Sequence, residues 1–98
     1  MTETQKKVYE SLTTQCDRAR SFTNARDWYN RNYKYDAYAE LKDERKANVE
    51  NNFKATCEGK NLLTANVNSR TLRALEREGL IVAHIGAGYI DFCDLVNY

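Results

Sequence analysis

"NSRTLRALEREGLIVAHIGAGYIDF", residues 68–92, decides how this chain is read. Asn68 and Ser69 are both side chains that cap a helix start by accepting an amide hydrogen from the first turn. Leu72 and Leu75 follow at helical spacing. Gly79 then provides a left-handed stop, after which Leu80 can fold back onto Leu75. The spacing predicts a compact helix over roughly 70–78. Beyond it, "LIVAHI" and "YIDFCDL" flank "GAG", Gly86 to Gly88, the pattern of a hairpin with a three-residue loop. In the second arm Ile90, Phe92 and Val96 alternate against Asp91 and Asp94, with Cys93 breaking the pattern.

The helix has two unlike faces. At about 100° per residue, with Arg70 at zero, Arg73 falls near 300° and Arg77 near 340°, while Leu72 and Leu75 fall near 200° and 140°. Arg73 and Arg77 are like charges at i,i+4, which costs an isolated helix a few tenths of a kcal/mol. A guanidinium offers a rigid fork of donors that suits phosphates and base edges. The same arginines, with Glu76 and Glu78 at the flanks, also suit a solvated face. Residue geometry leaves both readings open.

N-terminal to this stretch the chain reads as helical. Thr2 and Gln5 match a capping box, and Val8, Leu12, Cys16 and Ala19 form an apolar stripe to about Arg20. Asn24 can cap a second helix with Asp27 in its first turn, where the helix dipole favours an acid. Val49, Phe53 and Cys57 regain an apolar rhythm before Gly59. Whether 24–58 is one helix or two stays open, because "YNRNYKYD" is made of weak helix formers and allows a break near 30–35. "NLLTANV", residues 61–67, reads equally as a helical turn or a strand.

Composition sets bounds. Ninety-eight residues make one small domain, residues 1–98: N-terminal helices over 2–58, the arginine helix over 69–78 and a hairpin over 80–96. A core of this size leaves stability marginal. There is no proline, where average usage would supply about five, which favours uninterrupted helices. The net charge of +1 is low for a dedicated nucleic-acid binder. Three widely spaced cysteines, Cys16, Cys57 and Cys93, and the single His84 form neither a disulfide framework nor a metal motif. No metal or cofactor is expected, and a reduced, cytoplasmic setting is. No signal peptide and no membrane span are expected either. No catalytic constellation emerges, so no enzyme activity is expected. His84 reads as structural, and Cys93 as a small core residue.

"DWYNRNYKYDAY", residues 27–38, mixes aromatics with Arg31 and Lys34. Bases of single strands stack on such surfaces. The stronger reading makes these rings core or a self-association surface, with Trp28, Tyr35 and Tyr38 on one broad helical face as the partner or dimer surface.

The arginine helix and hairpin together resemble the end of a winged helix-turn-helix domain, over about residues 62–95. Ser69, Thr71, Leu72, Leu75, Gly79, Leu80 and Ile81 carry the match. The resemblance implies a mostly helical α+β fold with a C-terminal β-hairpin, in which helix 70–78 is the recognition helix. It implies that Ser69, Arg70, Thr71, Arg73 and Arg77 face double-stranded DNA. Gly86, Ala87 and Gly88 would form the wing tip, and Leu72, Leu75, Leu80 and Ile81 would anchor the helix. The leading expectation is a DNA-binding regulator of transcription or of a mobile element. The alternative is a protein-interaction module, such as a viral or mobile-element inhibitor of a host protein complex, favoured by the near-neutral charge and the lysine-free wing.

Overall fold

The computed structural model describes every residue except Asn66, Ala87 and Gly88; of residues 85, 86 and 89–91 it describes the backbone. Four α-helices and three strands follow one another: α1 (Glu3–Arg20), α2 (Ala25–Asn30), α3 (Asp43–Cys57), β1 (Leu62–Leu63), α4 (Ser69–Arg77), β2 (Ile81–Gly86) and β3 (Tyr89–Leu95). A single 3-10 turn, Tyr38–Glu40, precedes α3. The architecture is α+β and mostly helical, with an antiparallel sheet of order β1-β3-β2.

The helix boundaries have local causes. Thr2 and Gln5 form the expected capping box, each side chain bonding the other's backbone N–H. Asn24 caps α2 by accepting the Asp27 N–H at 2.8 Å. The 24–58 region is two helices with a break between. The Asn30 side-chain amide donates to Asp36, while its carbonyl accepts the Tyr38 N–H at 2.8 Å. Asp36 also accepts the Ala39 N–H and pairs with Arg26. These side chains offer the backbone an alternative to helical hydrogen bonds, which is why asparagine and aspartate interrupt helices. Both α3 and α4 end in a Schellman motif. Gly59 and Gly79 each take φ +77, and the following N–H reaches back to Ala55 and to Leu75 respectively.

The core is aliphatic. Leu12 and Cys16 from α1, Leu62 from β1, Leu72 and Leu75 from α4, Ile81 from β2, and Cys93 and Leu95 from β3 form one buried cluster. Burying each large aliphatic side chain stabilises the fold by about 1.5–3 kcal/mol. Among the described residues no aromatic side chain is buried, so of the two expected roles for the tyrosines and Trp28, core or self-association surface, the core role does not hold. The reason lies in the backbone: α2 is six residues long, and Tyr33 and Tyr35 fall in the irregular stretch after it. No continuous helical face gathers Trp28, Tyr35 and Tyr38.

The second hairpin arm also differs from its expected alternation. Cys93 and Leu95 face the core, whereas Phe92 stacks on His84 across the other face. Pairing runs Ile81–Leu95 to His84–Phe92 and then slips by one residue, with Ile85 opposite Ile90. The stretch 92–95 pairs in regular register, so its alternation is intact and it is the Cys93–Leu95 side that docks on the core. Gly86 pairs with Tyr89 and belongs to the strand rather than to a three-residue loop. "NLLTANV" resolves as a strand start: Leu62 pairs with Cys93 and Leu63 with Phe92. The outer edge of β1 is closed by Gln15, whose side-chain amide both accepts from the Leu63 N–H and donates to its carbonyl, each at 2.9 Å. A side-chain amide here replaces a neighbouring strand and protects an exposed edge.

The three cysteines are free thiols. Burial pushes the Cys93 thiol up to about 12, so almost none of it is thiolate at neutral pH. Brief maleimide labelling of the native protein should modify the half-buried Cys57 first and Cys93 only on unfolding. Mass-spectrometric mapping of Cys93 adducts at the Cys57 rate would show that the sheet is not closed over it.

Candidate nucleic-acid interface

Three devices fix the orientation of α4. Asn68 caps its start, accepting the Arg70 N–H at 2.8 Å. Leu72 and Leu75, 1% and 0% exposed, bury its inner face against α1 and the sheet. The Gly79 ending turns the chain at once into β2. Of the two expected caps it is Asn68 that serves, and Ser69 is the first residue of the helix.

The outer face carries the arginines. Arg70 and Arg77 are exposed, and neither has an ion-pair partner among the described residues. Ser69 is exposed beside Arg70, and Thr71 is half-buried. Arg73 is placed differently. One of its terminal nitrogens sits 2.8 Å from a Glu76 oxygen, and the other Glu76 oxygen accepts the Ala83 N–H at 2.9 Å. The Ala83 amide first, and the Arg73 guanidinium second, hold the Glu76 carboxyl below its usual range. Glu76 therefore ties the helix to β2. Its spacing of three from Arg73 was visible in the sequence, but its bond to Ala83 depends on how the hairpin docks. Of the wing residues, Gly86 closes β2, while Ala87 and Gly88 lie outside the described residues.

A second strut starts from the next residue of β2. His84 Nε2 lies 2.9 Å from one oxygen of Asp94, and the other oxygen accepts the Asn61 N–H at 3.0 Å. Burial pushes the Asp94 carboxyl up, but the Asn61 amide and His84 outweigh it and leave it below the usual value. A lowered folded-state value means the unfolded chain binds more protons. The stabilisation is present above about pH 4 and is lost as pH falls through the lowered value. Asp94→Asn should therefore flatten part of the acid limb of a stability-versus-pH curve; an unchanged limb would show that this contact contributes nothing.

The expected partner-surface residues are distributed over the α2 region. Trp28 rests on Phe53 of α3, ring centroids 5.6 Å apart. Tyr38 packs edge-on to Tyr29 and donates its hydroxyl to Glu50 at 3.0 Å. Tyr35 is 64% exposed and touches Tyr33.

Fold and site together define a mostly helical α+β domain in which α4, with arginines on its outer face, docks beside a hairpin. Comparison with known proteins finds no matching family model, no matching curated protein and no matching solved structure. No helix among the described residues is long and apolar enough to cross a membrane.

Proposed function

We propose that this chain is a winged-helix type of DNA-binding domain that lays α4 in the major groove of duplex DNA. The observation that carries the reading is the division of α4: leucines sealed in the core, with Arg70 and Arg77 free on the opposite face. Seven residues of helix separate those two by about 10 Å along the axis, within reach of the groove's about 12 Å width. Arg70 and Arg77 contact phosphates or base edges, Ser69 and Thr71 lie at the helix start beside them, and Arg73 contributes the donors that Glu76 leaves free. The hairpin of β2 and β3 is the wing. The pairing of β1, which precedes α4 in the chain, with the hairpin strand β3 that follows it supports this reading. The approach to α4 is longer than a tight helix-turn-helix, because residues 58–68, including β1, separate it from α3.

The test is the affinity of the full chain for random duplex DNA at low and moderate salt. A steep fall with salt, the mark of counterion release from phosphates, supports the proposal. No binding at the lowest salt overturns it in favour of a protein-interaction module acting on a host protein complex. The net charge of +1 and the Arg73–Glu76 pair favour that second reading.

A further inference from the structure

Two hollows lie side by side on the face away from α4. The larger, roughly 320 Å³, is floored by Trp28, Leu63 and Phe92. The smaller, roughly 170 Å³, runs on toward Tyr33. Trp28 and Arg31 line both and form the wall between them. The floor is unpartnered apolar surface, with Leu63 70% exposed.

The polar side chains around this floor are uncharged apart from Arg31: the Gln15 amide is bonded to Leu63 and the Thr56 hydroxyl to Asn52, which leaves the Asn52 and Asn61 carboxamides. Asn52 and Asn61 line the larger hollow; both are exposed, and their side chains make no hydrogen bond among the described residues. Arg31 is exposed, and among the described residues it has no ion-pair partner and no carboxylate lines either hollow. Past the smaller hollow, Tyr33 and Tyr35 are 46% and 64% exposed, with Lys34 between them. The nearest carboxylate in the turn, Asp36, is already held by Asn30 and Arg26.

We propose that this face binds unpaired nucleotides of a single strand, independently of α4. One base enters the larger hollow against Trp28 and Phe92, its edge met by the Asn52 and Asn61 carboxamides. The adjoining phosphate lies on Arg31, and the next base stacks toward Tyr33 and Tyr35. Each feature has its counterpart in that ligand. A carboxamide offers a donor and an acceptor side by side, as a base edge requires. An aromatic wall with an adjacent cation suits stacked bases and their phosphates. About 320 Å³ stands at the small end of ligand sites, which suits one flat ring. An aliphatic side chain of a partner peptide would fill the floor but make no use of the carboxamides or the guanidinium, which would stay with water.

Trp28 is the chain's single tryptophan, so its fluorescence reports this site directly. The full chain is titrated with oligothymidylate and oligouridylate about eight nucleotides long, and with a blunt duplex of the same length. Both single strands should quench Trp28 to saturation while the duplex does not; whichever strand binds tighter identifies the preferred sugar. Arg31→Ala should weaken the single-strand affinity about tenfold, and Tyr35→Ala about fivefold or more, one stacked base being worth about 1–3 kcal/mol. Arg70→Ala with Arg77→Ala should leave the quench unchanged, which separates this site from α4. Quenching by duplex alone, no quenching by either single strand at low salt, or an affinity indifferent to Arg31→Ala would overturn the assignment.

Discussion

Leu75→Ala should destabilise the protein by about 2–5 kcal/mol, enough to unfold much of it at physiological temperature. Leu75 is fully buried and stands where α4 meets α1 and the sheet. Truncating it removes the transfer free energy of its methyl and methylene groups and leaves a cavity that the neighbouring Leu12, Leu72 and Ile81 can close only by moving two helices. The core holds few large side chains, so no redundancy absorbs the loss. Urea unfolding followed by far-ultraviolet circular dichroism should show the midpoint falling with the slope unchanged. Leu63→Ala provides the contrast: the same chemical change at a 70% exposed position should stay within about 0.5 kcal/mol of the parent. A Leu75→Ala protein as stable as its parent would mean that α4 is not docked where the structure places it.

Arg70→Ala combined with Arg77→Ala should lower affinity for duplex DNA by about 10–100-fold at low salt, with the plot of log affinity against log salt losing about two phosphates' worth of slope. Both side chains are exposed and free of ion pairs among the described residues, so the change leaves core and caps intact, and thermal unfolding should not move. Arg73→Ala is expected to behave otherwise. It frees Glu76 from a 2.8 Å partner while the Ala83 amide remains bound, so its effect divides between affinity and the seating of β2. A double variant that binds duplex with parental affinity and salt slope would remove α4 from the interface and leave the protein-interaction reading.

Residues whose partners lie within one turn were readable in advance. The capping box at Thr2 and Gln5, the Asn24 cap, the Gly79 ending and the opposed faces of α4 all rest on contacts three to five residues apart. The aromatic segment was not readable in the same way. Its tyrosines were expected inside a helix face because large rings favour burial, but Asn30 and Asp36 satisfy the backbone locally and end the helix first. The inward side of β3, Cys93 and Leu95, depends on which face of an alternating strand docks on the core, and composition does not make that choice.

The candidate sites divide along the same line. By itself the sequence determined the helical N-terminal half, the arginine-faced helix with its glycine stop, the hairpin after it and the aliphatic side of the core, since each depends on periodicity or on a single cap. Only the tertiary structure decided that Glu76 spends Arg73 on the hairpin, that Gln15 closes the edge of β1 from forty-eight residues away, and that Trp28, Asn52, Asn61 and Phe92 surround one hollow. Contacts between distant parts of a chain form only when the packing of the core brings their elements together, and residue order does not encode that distance locally.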